Sequence, residues 1–152
     1  MTRKELAMNY FKDGYNCAQS VVLAFEDIVP IEKNELTKLA SSFGAGMGRL
    51  REVCGAVSGM FIVVGLLYGY DEPKAGQKKE EHYERIQKLA KKFEDKNGSI
   101  VCRNLLGLNV QHDSPKPEAR TSEYYKERPC MELVGDAAEI LDEFLEKNKK
   151  AE

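Results

Sequence analysis

The chain has 152 residues, of which 42% are hydrophobic and 32% are charged. A chain of this length can bury a core of its own, so we expect a single four-cysteine helical domain over residues 1–152 that needs no disulfide scaffold. Lys and Arg number 23 against 25 Asp and Glu, which gives a formal net charge of −2. A nearly neutral chain lacks the basic surface of a nucleic-acid-binding protein, so nucleic acid is not expected as a partner.

Helical patterns fill the first third of the chain. Thr2 and Glu5 have the spacing of a capping box and predict a first helix over residues 2–14. Apolar residues at helical spacing predict a second helix over 16–30 and a third over 32–44. The second would begin at an asparagine, a residue type that favours the N-cap.

The segment 53–70 is apolar and carries no charge. It is just long enough to cross a bilayer, but it contains four glycines and there is no second span for it to pack against. The other predicted helices are amphipathic and need a shared apolar partner. We therefore predict a buried central helix and do not expect a membrane span.

A fifth helix is predicted over residues 77–96, with Tyr83 and Phe93 on its inner stripe. His82 lies among charged residues and is expected at the surface.

The rest of the chain is predicted as a short helical turn over 101–106, a long loop over 108–129 and a last helix over 130–147. No segment has a convincing strand pattern. The fold class is therefore all-α: a single-domain bundle of about five to seven helices around the buried apolar helix.

The N-terminal basic residues are followed by charged residues instead of an apolar signal region, so we expect a cytoplasmic protein. In reducing cytoplasm, cysteines are more often ligands, catalysts or core residues than structural disulfides.

Every cysteine lies in or next to the first turn of a predicted helix; the four are Cys17, Cys54, Cys102 and Cys130. Unpaired N–H groups and the positive end of the helix dipole favour a thiolate there. The thiolate is the form that binds metals and attacks disulfides. One such placement would carry little weight, because buried cysteine is common, but all four share it.

The spacing of the cysteines narrows the chemistry. There is no CxxC pair, as in thioredoxin-type or zinc-ribbon sites, and no CxxCH for covalent haem. Four dispersed thiolates are suited to an iron–sulfur cluster or to two dithiol–disulfide pairs. The alternatives are a zinc or other thiophilic-metal site without redox turnover, and inert core cysteines.

A CGAxxG motif begins at Cys54, follows a glycine-rich stretch over 43–48, and has Cys17 upstream and Cys102 and Cys130 downstream. With these features the sequence resembles the C_GCAxxG_C_C family of four-cysteine proteins, whose members are described as redox-active. The resemblance implies that these four cysteines form the site. A related domain occurs in split-Soret cytochromes, where an iron–sulfur centre accompanies the haems; this chain lacks the haem motif, so only the cysteine site is carried over. A redox partner protein of unknown identity is expected.

Gly55 and Gly59 of the motif lie one helical turn apart on the same face. Without side chains there, a cofactor or another backbone can come close to the helix, so both are candidate cofactor contacts, with plain helix packing as the alternative.

Other candidates have a weaker basis. The glycine-rich stretch follows no strand and is not a phosphate loop. Arg49 and Arg51 are interpreted as solvated charges and His112 as a loop residue, while Tyr124 and Tyr125 are expected to cover the site or to anchor the loop.

The sequence therefore predicts redox or electron-transfer chemistry at the four thiols. It leaves open whether the protein is an oxidoreductase or an electron-transfer accessory protein, which substrate it uses and whether it forms a homo-oligomer.

Overall fold

The computed structural model describes residues 1–110 and 112–151. Within these residues the fold is all-α, and the extended pairing is limited to one antiparallel bridge between Val53 and Val101. The helices are α1 (Arg3–Lys12), α2 (Cys17–Leu23), α3 (Lys33–Ala40), α4 (Gly44–Met47), α5 (Gly55–Tyr68), α6 (Gln77–Asn97), α7 (Cys102–Leu105), α8 (Ser122–Glu127) and α9 (Cys130–Ala151).

Six of these helices, α1, α2, α3, α5, α6 and α9, have seven or more residues, as expected for a bundle of five to seven helices. α4, α7 and α8 are short turns of four to six residues that lie beside the cysteines or lead to them. The all-α prediction is confirmed for the described chain.

Capping boxes set the starts of the first two helices. The Thr2 hydroxyl accepts the N–H of Glu5, and the Glu5 carboxylate accepts the N–H of Thr2. Asn16 and Gln19 make the same reciprocal pair, at 2.9 and 3.0 Å. α2 therefore begins at the residue after Asn16, which is the first cysteine.

The second helix is shorter than predicted, because α2 ends at Leu23 and the chain continues in turns. The carbonyl of Ala24 accepts a hydrogen bond from the guanidinium of Arg3 at 2.9 Å, and the N–H of Ile28 bonds to Phe25 instead of Ala24. The guanidinium of Arg3 has thus replaced the N–H of Ile28 as the donor to the Ala24 carbonyl. The third helix likewise ends at Ala40 and passes into a 3₁₀ turn over Ser41–Phe43.

α5 is the apolar helix, and it packs against α2, α6 and α9. Its residues 55–60, together with Val63 and Val64, are buried, whereas its last turn is half-buried. The prediction of a buried helix thus holds for most of α5 but not for its C-terminal end. None of the described helices is both long enough and apolar enough to span a membrane.

The inner face of α6 differs from the prediction. His82 is buried, at 9% exposure, and Tyr83 is 50% exposed. Tyr70, which follows α5, explains the difference: its ring packs edge-on against both side chains, and its hydroxyl lies 3.2 Å from that of Tyr83. Burial, together with the charge of Arg85, lowers the pKa of His82, so a neutral imidazole suits the inner position.

The packing of α5 against α2 generates a matched test with two glycines. A Cβ on Gly59 would lie 2.9 Å from the Val21 Cβ and 3.0 Å from the Ala18 carbonyl oxygen, whereas a Cβ on Gly65 meets nothing within 4 Å. We expect Gly65→Ala to raise the free energy of unfolding by about 0.5–1 kcal/mol through helix propensity. Gly59→Ala should lower it, because the contact with α2 must open. Urea unfolding followed by circular dichroism measures both, and equal effects would contradict the close contact.

Candidate functional site

All four cysteines line one cavity of about 280 Å³, which we call the thiol cavity. Cys17, Cys102 and Cys130 are the first residues of α2, α7 and α9, and Cys54 is the N-cap of α5. All four are free thiols, Cys54 and Cys102 buried and the other two half-buried. The predicted placement at helix starts is therefore observed, and the helix starts meet at one place.

The bridge between Val53 and Val101 brings two of the cysteines together. The N–H of Cys54 donates to the carbonyl of Ile100 at 2.8 Å, and the N–H of Cys102 donates to that of Glu52 at 2.6 Å. Each of these cysteines directly follows a bridge residue. The start of α5 and the start of α7 are thus held side by side by backbone hydrogen bonds.

A left-handed turn, α4, borders the cavity. Ala45, Gly46 and Gly48 have φ values of 56°, 70° and 61°, and the turn is closed by a 2.9 Å hydrogen bond from the Gly48 N–H to the Gly44 carbonyl. The Ala45 N–H donates to Cys17 Sγ at 3.4 Å. A left-handed conformation costs a residue with a Cβ about 1–2 kcal/mol. The fold therefore holds local strain at the residue that contacts a cysteine sulfur, a placement typical of functional sites.

The two motif glycines have different surroundings. Gly55 lines the thiol cavity, and a Cβ there would collide with Cys17 Sγ. Gly59 faces Val21 and Ala18 of α2 and is not among the residues that line the cavity. The structure thus brings Gly55 to the cysteines, while Gly59 allows close helix packing.

Burial keeps three of the thiols protonated. It raises the pKa of Cys54 well above its ordinary value, and the N–H groups of Ala56 and Val57 only partly oppose it. It raises the pKa of Cys102, against the guanidinium of Arg51. Desolvation therefore outweighs the backbone N–H groups at Cys54 and the guanidinium at Cys102.

Cys130 behaves in the same way, since burial raises its pKa to about 12. Tyr124 lines the cavity beside it, and burial, followed by the charge of Cys130, raises the tyrosine pKa. Negative charge on Cys17 contributes to the raised pKa of Cys54, of Cys102 and of Cys130. Cys17 is thus close enough to influence every other thiol.

Arginine is the cationic residue of the cavity. Four of the seven arginines line it: Arg49, Arg51, Arg120 and Arg128. Arg51 is 3% exposed; its Nη1 donates to Cys102 Sγ at 3.6 Å, and its Nη2 lies 3.1 Å from Asp113 Oδ2. The expectation that Arg49 and Arg51 are solvated is therefore wrong, because the segment after the left-handed turn places both at the cavity.

The segment 112–121 covers the cavity from the other side. Arg49 Nε donates to the carbonyl of Ser114 at 2.6 Å, and Arg120 donates to the carbonyls of Phe11 and Tyr15 at the end of α1. No helical or strand pattern marks this segment, so sequence reasoning had no signal with which to place it. His112 is exposed and does not line the cavity.

The two tyrosines that we expected to cover the site or to anchor the loop have different surroundings. Tyr124 lines the cavity, and Tyr125 packs edge-on against Phe11, with ring centroids 6.3 Å apart.

The four thiols are the right type of ligand for an iron–sulfur or zinc centre, because such centres prefer thiolate. Their spacing does not suit a single metal ion: in the described part of the chain, no three His, Cys, Asp or Glu side chains are grouped so that they could hold one. As arranged here, the thiols surround a cavity instead of converging on one atom.

The left-handed turn predicts that substitutions at two adjacent residues change the free energy of unfolding in opposite directions. Ala45→Gly removes a Cβ from a left-handed position and should raise the free energy of unfolding by about 1 kcal/mol. Gly46→Ala should lower it, because the new Cβ would lie 2.6 Å from the Cys102 Cβ. Urea unfolding under reducing conditions measures both. A destabilising Ala45→Gly would show that the turn is not strained.

The raised thiol pKa values predict alkaline sensitivity of the reduced protein. A thiol with a folded-state pKa of about 12, against an ordinary value of 9.0, stabilises the fold at pH values below 9. That stability is lost as the pH rises towards the folded-state pKa. Between about pH 8.5 and about pH 10.5, wild type should lose more unfolding free energy than Cys130→Ser, which lacks this titration. Equal losses in urea titrations with a phosphine reductant would contradict the burial of Cys130 as a neutral thiol.

Comparison with protein families gives one finding. The family model described as "Putative redox-active protein (C_GCAxxG_C_C)" matches residues 15–144. Comparison with curated proteins and with solved structures gave no match. The family match spans most of the chain and includes all four cysteines of the thiol cavity, so the chain belongs to the C_GCAxxG_C_C family.

Proposed function

We propose that the protein is a thiol oxidoreductase whose cavity cysteines cycle between dithiol and disulfide. The observation that carries this proposal is that four free thiols line one cavity and that Cys17 lies within electrostatic range of the other three. Membership of a family described as redox-active supports it.

Cys17 is the attacking thiol in this proposal. It is half-buried, it begins α2, and the Ala45 N–H donates to its sulfur. A backbone donor and a helix N-terminus both stabilise negative charge on sulfur. The other three thiols are protonated at neutral pH, because burial raises their pKa values. A half-buried attacking thiol with protonated neighbours suits stepwise exchange.

Cys54 is the neighbour that we assign to close the first disulfide. Cys17 Sγ lies against the backbone of Gly55, the residue next to Cys54, where any side chain would displace it. Disulfide formation needs Cβ atoms about 3.5–4.5 Å apart, so a close approach of this kind is a precondition. Cys102 and Cys130 line the same cavity and are assigned as the second dithiol pair.

The electron balance of the cycle is that of thiol–disulfide exchange. Cys17 thiolate attacks a sulfur of a substrate disulfide, the S–S bond of the substrate breaks, and one substrate thiolate leaves. Cys54 then loses its proton and attacks Cys17 Sγ, which releases the second substrate thiolate. The protein gives up two electrons, and the substrate accepts them.

An iron–sulfur cluster is the second candidate, supported by the number of thiols around the cavity. The spacing of the potential ligands in the described chain opposes a site for a single zinc ion. An iron–sulfur cluster, when bound, would supply one-electron transfer or a structural link. Metal analysis after anaerobic purification separates the candidates: iron and sulfide in stoichiometric amounts would contradict the dithiol proposal, and a metal-free protein with four titratable thiols supports it.

The dithiol proposal predicts a Cys17-dependent oxidation. After brief treatment of the reduced protein with diamide, wild type should lose two thiols as an intramolecular Cys17–Cys54 disulfide, identified by alkylation and peptide mass spectrometry. Cys17→Ser should lose this fast step, and the matched variant Cys130→Ser should keep it. An unchanged fast step in Cys17→Ser would contradict the role of Cys17.

A further inference from the structure

The cationic residues of the thiol cavity are unusual in type. Four arginines line it, and no lysine of the described chain does, although lysines outnumber arginines sixteen to seven in the sequence. Solvated surface charges would be drawn mostly from the more abundant lysines. Arginine presents a planar fork of donors that matches a carboxylate or another oxyanion, and it keeps its charge in a partly buried site. The selection of arginine therefore points to anion recognition.

The cavity also carries more positive than negative charge. Arg49 and Arg51 share one carboxylate, Asp113, at 3.4 and 3.1 Å. Arg51 lowers the pKa of Asp113, which is therefore ionised. Arg128 pairs with Glu118 at 2.9 Å. Arg120 donates to the backbone carbonyls of Phe11 and Tyr15.

Four guanidinium groups face two carboxylates, which leaves a surplus of two positive charges in the described residues around the cavity. Three of the thiols do not offset this surplus, because burial keeps them protonated. The proposed thiolate of Cys17 lowers the surplus to one positive charge. Positive charge in a partly enclosed site attracts a counter-ion or an anionic ligand.

The volume and the apolar lining limit the size of that ligand. At about 280 Å³ the cavity lies near the lower end of small-molecule sites, so it suits a ligand of a few tens of atoms at most. Phe11, Leu105, Leu106 and Leu133 line its walls. The ligand that fits this lining is small and combines apolar parts with anionic groups.

We propose that the substrate of the thiol cavity is a small disulfide that carries carboxylates or equivalent oxyanions, held by the cavity arginines with its S–S bond at Cys17. The proposal rests on the dithiol function proposed above. Arg128 is the main anion contact, because it lines the cavity and its positive charge acts on both Cys102 and Cys130. Its Nη2 donates to Glu118. One substrate disulfide yields two thiols, and one disulfide forms in the protein.

Three small disulfides of similar length test the charge preference in the reduced protein. These are 3,3′-dithiodipropionate, a dianion; bis(2-hydroxyethyl) disulfide, which is neutral; and cystamine, a dication. Thiol release is followed under single-turnover conditions at low salt. We expect the dianion to react at least about tenfold faster than cystamine, with the neutral probe between them. Equal rates, or a faster dication, would overturn the proposal.

Variants of single arginines test which residue causes the rate preference for the dianion. Arg128→Gln should reduce the rate ratio of dianion to neutral probe several-fold, and Arg128→Lys should restore it only in part, because a single ammonium replaces a fork of donors. The ratio to the neutral probe corrects for any change in thiol reactivity. Arg85→Gln, which removes an arginine outside the cavity, should leave the ratio unchanged. An equal effect of Arg85→Gln would overturn the assignment.

A binding experiment separates this inference from the redox proposal. Suberate has the length and the two carboxylates of dithiodipropionate but no disulfide. Calorimetry should detect its binding to wild type, with at least about tenfold weaker binding to Arg128→Gln. Absent suberate binding, with all three disulfides reduced equally, would overturn the anion site and leave the redox function standing. Suberate binding without reduction of any disulfide would overturn the redox function and the substrate assignment together.

Discussion

The position of the thiols depends on one close contact, that of α2 with α5 at Gly55 and Gly59. A Cβ at either glycine would collide with α2: at Gly55 with Cys17 Sγ, and at Gly59 with Val21. Because neither glycine has a side chain, the start of α2 lies directly on the start of α5. The two motif glycines therefore matter for packing first, and the approach of Cys17 to Cys54 is a consequence of that packing.

Two backbone devices then bring the remaining elements to the same place. The bridge next to Cys54 holds Cys102 beside it, and the left-handed turn closes over both α2 and α7. Arg49 and Arg51 lie just after the turn, and their shared carboxylate lies on the segment 112–121. Strain in the turn and the charge of these arginines thus lie at one wall of the thiol cavity. Such concentration of strain at one site is expected when geometry serves function and not stability.

Much of this arrangement follows from local sequence signals. The capping residue Asn16 marks the start of α2, and the uncharged run marks α5, so the helix-start positions of Cys17 and Cys54 were predictable. The same local signals could not reveal that Ala24 loses its helical partner to Arg3, because that contact joins distant parts of the chain. The burial of His82 and the exposure of Tyr83 have the same origin, because they depend on packing against Tyr70.

The charged lining of the cavity was beyond sequence reasoning for a related reason. Arg49 and Arg51 lie just after the glycine-rich stretch, a setting in which arginine is normally solvated, and Arg120 lies in a segment without periodicity. Their burial arises only when 112–121 folds back onto the left-handed turn. Patterns along the chain predict elements, whereas the surroundings of a charge depend on which elements meet.

The central claim is that the four cysteines form one redox site within a single chain. A redox titration tests it most directly: the protein is equilibrated in thiol–disulfide buffers of graded potential, its thiols are trapped with an alkylating reagent, and intact masses are recorded. The account predicts that each monomer loses thiols in pairs, from four to two, with Cys17 in the first pair. Four thiols that stay free at every potential, or that oxidise one at a time into mixed disulfides with the buffer, would contradict it.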